Sequence, residues 1–285
     1  MITATILAAA AQVGPALPGD PNAVVTLPPQ PPRASAEAGN EAPALSSRLE
    51  RCLSVVATNP ADALTASEAW AREVSGLARA EAGHCQGLAL VQLGRFDEAQ
   101  AAFVSARDGA GEEPAYAARL GGLAGNAALL AGDAAGAVAL LDGARAEALK
   151  VGEQELALGL QLDAAAARVQ AGQVAEAQAS LRAARETWPA NAQVWLMSAT
   201  LSRGAGNLAE AQALIERAAE LAPREPRVAL EAGIIAALGG RTQAAEASWR
   251  SVLAVAPGSP AAEAARGYLA QLGVETPTTS ESDSR

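Results

Sequence analysis

Two cysteines and one histidine, Cys52, Cys85 and His84, are the strongest candidates for redox, nucleophilic or metal chemistry in this chain. The cysteines are not in a Cys-x-x-Cys arrangement, so a redox motif of that kind is excluded. His84 precedes Cys85 directly. Neighbouring positions on a helix point about 100° apart, which keeps the imidazole from serving as the base of a thiolate nucleophile. A metal needs several converging ligands, and His84 has no companion histidine. Two acidic pairs, Asp97/Glu98 and Glu112/Glu113, lack the pocket and partner that general acid–base work requires, and read as solvated helix ends. There is no glycine-rich phosphate loop, nucleophile elbow or zinc spacing. The sequence therefore predicts no catalytic residue, no cofactor site and no metal site: this is not an enzyme.

The elements that carry these residues announce themselves through a repeat. Gly172, Ala177 and Pro189 recur as Gly206, Ala211 and Pro223, and again as Gly240, Ala245 and Pro257, each step being 34 residues for all three types. A fixed period in this range marks a stack of like supersecondary units. Within one unit, Ala192 to Gly204 has apolar residues at helical spacing and Gly206-Asn207 interrupts it. A second helix then runs from Leu208 to Leu221, and Pro223 ends it. Ala199, Ala211 and Ala218 let the pair close, while Trp195, Leu208, Ile215 and Leu221 fill the space around them.

Composition agrees with helices and with little else. Half of the residues are apolar and only 3% are aromatic, a balance that favours close-packed helices over a β fold. The net charge of −10, with no run of Lys or Arg, speaks against nucleic acid and anionic membranes as partners. The repeat region contains no stretch long and apolar enough to span a membrane.

This small/large pattern on a 34-residue helix–turn–helix resembles the tetratricopeptide repeat (TPR) family. The three clearest units are 158–191, 192–225 and 226–259. Upstream, Leu93-Gly94-Arg95-Phe96-Asp97-Glu98-Ala99 with Phe103 and Ala106 marks another, as does Ala131-Gly132-Asp133 with Ala137, Leu141 and Ala144. A weaker first unit turns at Asn59-Pro60 and opens on the capping box Ser47-Arg48-Leu49-Glu50. Residues 260–272 read as a closing helix. The expectation is an all-α, right-handed superhelical solenoid of about six helical pairs over residues 45–272.

The resemblance implies a concave wall built from the first helix of each pair, where a protein or peptide partner binds. Carried over position by position, the wall consists of Leu162, Ala166, Val169, Leu196, Thr200, Arg203, Leu230, Ile234 and Ala237, continued by His84, Leu88, Asn126 and Leu129. The TPR subclass that clamps a chaperone's C-terminal carboxylate needs Lys, Asn and Arg there, and this chain has Leu, Ala, Thr and Ile, with Arg203 and Arg227 isolated. That subclass is excluded. An apolar wall fits an amphipathic helix or apolar segment; the alternative is self-burial, by the chain itself or by a second copy in a homo-oligomer. Trp188, Trp195 and Trp249 are expected in the core.

Cys52 and Cys85 fall in the first helices of consecutive units. Such helices pack about 8–10 Å apart, and small contact residues bring Cα atoms within disulfide range. A disulfide is expected, two buried thiols in a reducing cytosol being the other reading. It accords with Ile2–Ala11, an uncharged apolar run followed by Gln12 that resembles an export signal over residues 1–13, though without a basic start. Residues 14–44 hold half of the chain's prolines and read as a linker, and residues 273–285, rich in Ser, Thr and Glu, as a disordered tail. Export to a periplasm is the expected localisation, the cytoplasm the alternative, and an envelope assembly the expected setting.

Overall fold

A computed structural model of the chain describes residues 46–273 except Glu112. The signal-like run, the proline-rich segment and the tail beyond residue 273 lie outside the described residues. Within them the chain is all-α, and no strand occurs among the described residues. Helices alternate with tight turns: α1 (Ser47–Val56), α2 (Pro60–Glu73), α3 (Gly76–Gln92), α4 (Phe96–Gly109), α5 (Pro114–Leu130), α6 (Ala134–Lys150), α7 (Gln154–Gln170), α8 (Val174–Thr187), α9 (Ala192–Gly204), α10 (Leu208–Leu221), α11 (Pro226–Leu238), α12 (Thr242–Val255) and α13 (Pro260–Gln271). They fall into two compact units. Residues 46–198 and 217–222 form an N-terminal unit, and residues 199–216 and 223–273 a C-terminal unit.

Each hairpin closes through the same local chemistry. Gly172, Gly206 and Gly240 sit at φ of 75°, 80° and 73°, a left-handed conformation that costs a side-chain-bearing residue energy and glycine almost none. In each turn the residue after the glycine donates its N–H to a carbonyl of the helix just ended, as Gln173 does to Arg168 at 2.8 Å. Pro60, Pro114, Pro226 and Pro260 open their helices, where the missing N–H costs nothing.

The core repeats with the hairpins. Each second helix buries residues at i, i+4 and i+7: Ala99, Phe103 and Ala106 on α4, Ala137, Leu141 and Ala144 on α6, Ala177, Leu181 and Ala184 on α8, Ala245, Trp249 and Val252 on α12. The alanines allow close helix approach and the large central residue fills the gap. Burying each of Phe103, Leu141 and Leu181 contributes about 1.5–3 kcal/mol. Gly87 on α3 faces Phe103 so closely that a Cβ there would collide with the ring.

Three sequence expectations change. Ser46, not Ser47, caps α1: its hydroxyl accepts from Leu49 N at 3.2 Å, which leaves Glu50 outside the box position, and Ser46 N donates to Glu81 of α3 instead. Trp195 is half-buried rather than core, because its Nε1 donates to the Pro189 carbonyl at 2.9 Å and Arg185 lies over its ring at 5.6 Å. Trp188 at the end of α8 is half-buried as well, whereas Trp249 is buried as expected.

Candidate functional site

In the N-terminal unit the first helices α3, α5 and α7 carry the polar side chains that reach between hairpins. One face of α3 makes three ties. Glu81 accepts from Ser46 N at 3.2 Å and from Ser46 Oγ at 2.6 Å, fixing the start of α1. His84 Nδ1 pairs with the Tyr116 hydroxyl of α5 at 2.9 Å. Cys85 is joined to Cys52 of α1 by a disulfide, with Cα atoms 6.1 Å apart. Burial holds the His84 imidazole down to about 4, since the charged form would lose its hydration there. Burial, aided by the charge of Glu81, pushes the Tyr116 hydroxyl well above the usual phenolic range.

Further along, Asn126 of α5 donates to Asp163 of α7 at 3.1 Å, and Arg168 of α7 reaches Asp142 of α6 at 2.5 Å. Among the expected wall residues of this unit, Leu162 is only 1% exposed and Ala166 and Leu196 are also buried. They belong to the packing between helices. His84, Leu88, Asn126, Leu129 and Val169 remain half-buried.

In the C-terminal unit Thr200, Leu230 and Ala237 are half-buried and Ile234 is buried. Arg203 is not an isolated cation: its Nε donates to Glu231 Oε1 of α11 at 2.6 Å, and the two side chains are 12% and 9% exposed. Beyond Ile234 a cavity of about 240 Å³ opens between α11, α12 and α13, lined by Ile234, Ala237, Leu238, Trp249, Tyr268 and Leu272. Its aromatic wall is held by two contacts. Tyr268 stacks on Trp249 at 5.0 Å, and the Trp249 Nε1 donates to the Leu230 carbonyl at 3.2 Å. Desolvation raises the Tyr268 hydroxyl, with Arg203 lowering and Glu231 raising it. Leu238 and Leu272 at the rim are exposed. Thr242 and Gln271 supply polar groups there.

No group of three or more His, Cys, Asp or Glu side chains that could hold a metal exists among the described residues. No described helix is long and apolar enough to cross a membrane. Asp97 and Glu98 are exposed at the start of α4, where Arg95 bonds Glu98 through two nitrogens and holds its carboxyl below the usual range. What this surface offers is contact: half-buried apolar side chains, fixed hydrogen-bonded pairs and an apolar cavity.

A profile of the tetratricopeptide repeat family matches residues 168–234. That stretch carries tetratricopeptide repeats, and the described chain has the fold of a TPR-like helical solenoid. Among solved structures, a thermophilic TPR protein from Thermus thermophilus is similar at TM-score 0.53 and 19% identity, over 68% of this chain and all of that one. The apo form of the quorum sensor NprR from B. thuringiensis is similar at TM-score 0.60 and 12% identity, over 79% of this chain and 68% of its own. NprR in complex with its cognate peptide NprX is similar at TM-score 0.51 and 11% identity, over 79% and 70%. At such identities the likeness is one of fold. Among curated proteins none matches the chain in sequence. The TPR solenoid supports a protein-interaction scaffold.

Proposed function

We propose that this protein is a non-enzymatic scaffold that captures a peptide or protein segment through an apolar anchor, after export, during assembly of an envelope complex. The observation that carries the reading is the cavity between α11, α12 and α13. Its volume of about 240 Å³ accommodates one large aliphatic or aromatic side chain, its walls are held by the Trp249–Tyr268 stack, and Leu238 and Leu272 extend an apolar rim for neighbouring residues. Burying one such anchor contributes about 1.5–3 kcal/mol before the cost of ordering the segment. Half-buried Leu230 and Ala237, with Thr200 and Arg203, belong to the same unit and offer further contacts. In the N-terminal unit Val169 with Leu88 and Leu129 plays the corresponding part, whereas Leu162 and Leu196 support it from within. The solved NprR complex with its cognate peptide is one precedent for peptide capture on a chain of similar fold. Export draws support from the Cys52–Cys85 disulfide, since such bonds persist in oxidising compartments.

The test places a photoreactive p-benzoylphenylalanine at Leu238, on the rim, and as a control at exposed Arg250 on α12. A single adduct of defined mass from the Leu238 position, lost in a folded Tyr268→Asp variant, supports the reading. Equal adducts at both positions refute it, and an adduct of twice the chain mass assigns the cavity to self-association.

A further inference from the structure

Among the described residues α1 is the weakest-founded helix. It has ten residues, fewer than the roughly 12–15 at which even a good isolated helix is marginal in water. Its buried residues are Leu49 and Val56. Against this, two ties bind it to α3: the grip of Glu81 on Ser46, and the Cys52–Cys85 disulfide. The disulfide spans a sequence separation of 33, so it encloses all of α2 as well. α3 itself stays anchored without it, through the His84–Tyr116 pair to α5 and through Gly87 packed on Phe103 of α4.

The two cysteine residues differ in exposure. Cys85 is fully buried in the cluster that holds Leu49, Ala82 and Ala89, whereas Cys52 is half-buried on a short helix at the end of the unit. From this arrangement we infer that the disulfide is a redox lock on the α1–α2 hairpin, opened from the Cys52 side by a dithiol reductant. The reductant's thiolate bonds to Cys52 Sγ, the Cys52–Cys85 bond breaks, and its electron pair leaves on Cys85 Sγ, which takes up a proton. The reductant's second thiolate then displaces the Cys52 thiolate from the mixed disulfide, and that thiolate is protonated in turn. The net result is two electrons and two protons delivered to the pair and one disulfide formed in the reductant. Without the cross-link the entropy of the freed segment weakens the hairpin by roughly two to three orders of magnitude in its closing equilibrium. The released unit opens at α1–α2 and stops at α3.

The experiment is hydrogen exchange on the full chain, oxidised and after reduction with dithiothreitol, read by mass spectrometry of peptides. Amide protection in α1 and α2 falls by roughly 100- to 1000-fold on reduction, and that of α5 to α8 does not change. Unchanged protection throughout overturns the lock; loss spread evenly over α5 to α8 overturns its confinement to the hairpin. A brief pulse of a monothiol such as glutathione on the oxidised chain, quenched in acid and mapped by mass spectrometry, reads the side of entry. The mixed disulfide is expected on Cys52, and one found on Cys85, or on both equally, overturns the direction of attack.

Discussion

Because His84 is the only histidine in the chain, its titration can be followed without assignment. Its imidazole is held to about 4 by burial, against an ordinary value of 6.5. The unfolded chain binds a proton on this ring below pH 6.5, and the folded chain resists until about pH 4. Stability from this group is therefore complete above pH 6.5 and is lost as pH falls through that window. With about 1.36 kcal/mol per unit, the folded state at pH 5 is about 2 kcal/mol less favoured than at pH 8 on account of His84 alone. Two measurements check this. The C2–H proton resonance in ¹H NMR should titrate near pH 4 in the folded protein. In urea unfolding followed by circular dichroism, the loss between pH 8 and pH 5 should be smaller by about 2 kcal/mol in His84→Gln, which cannot charge yet still offers Tyr116 a partner. Other acid-sensitive groups are common to both proteins and cancel in the comparison. A midpoint between about pH 6 and 7, or an equal loss in wild type and variant, refutes the argument from burial.

Two further substitutions probe the C-terminal unit. Glu231→Ala removes the acidic partner that Arg203 bonds at 2.6 Å while leaving the guanidinium largely buried; a loss of up to about 3–5 kcal/mol is expected in chemical denaturation, and a change below about 1 kcal/mol would count against the pair as a structural tie. Gly233→Ala places a methyl group against the Trp249 indole, which is both buried and bonded to Leu230; destabilisation of about 1–3 kcal/mol is expected, with a shift in tryptophan fluorescence as the ring moves.

The all-α class is legible in the sequence because its signal is a period. Glycine, alanine and proline each answer a local need, the left-handed turn, the close approach and the helix start or stop, so they recur wherever the unit recurs. The contact face is harder to read. Aligned position puts Leu162, Leu196 and Ile234 on it; the structure buries Leu162 and Leu196, whereas Ile234, buried as well, lines the cavity. Partners remote in sequence escape the pattern altogether. Glu81 sits in an Ala- and Gly-rich helix with nothing nearby to mark it as the acceptor for Ser46, 35 residues earlier. Arg203 looks solitary in the sequence because Glu231 lies 28 residues on, away from the repeat spacing. Tyr116 and Tyr268 stand at positions that the recurring glycine, alanine and proline do not mark, so the pattern assigns them no role. One clue is present for the cap of α1: two adjacent serines precede Arg48 and Leu49, and which of them caps depends on a tertiary bond to Glu81.

The cross-link between α1 and α3 also decides how the molecule carries load. A chain drawn out from its two ends normally pays out its full contour, about 3.3–3.6 Å for each residue. Here the pull passes from Cys52 directly to Cys85, and the 33-residue separation between them never comes under tension while the bond is intact. The oxidised protein should therefore extend roughly 110 Å less than the reduced one. Any partner gripping the first residues of the chain is thereby coupled to α3, past the turns of the hairpin that lies between.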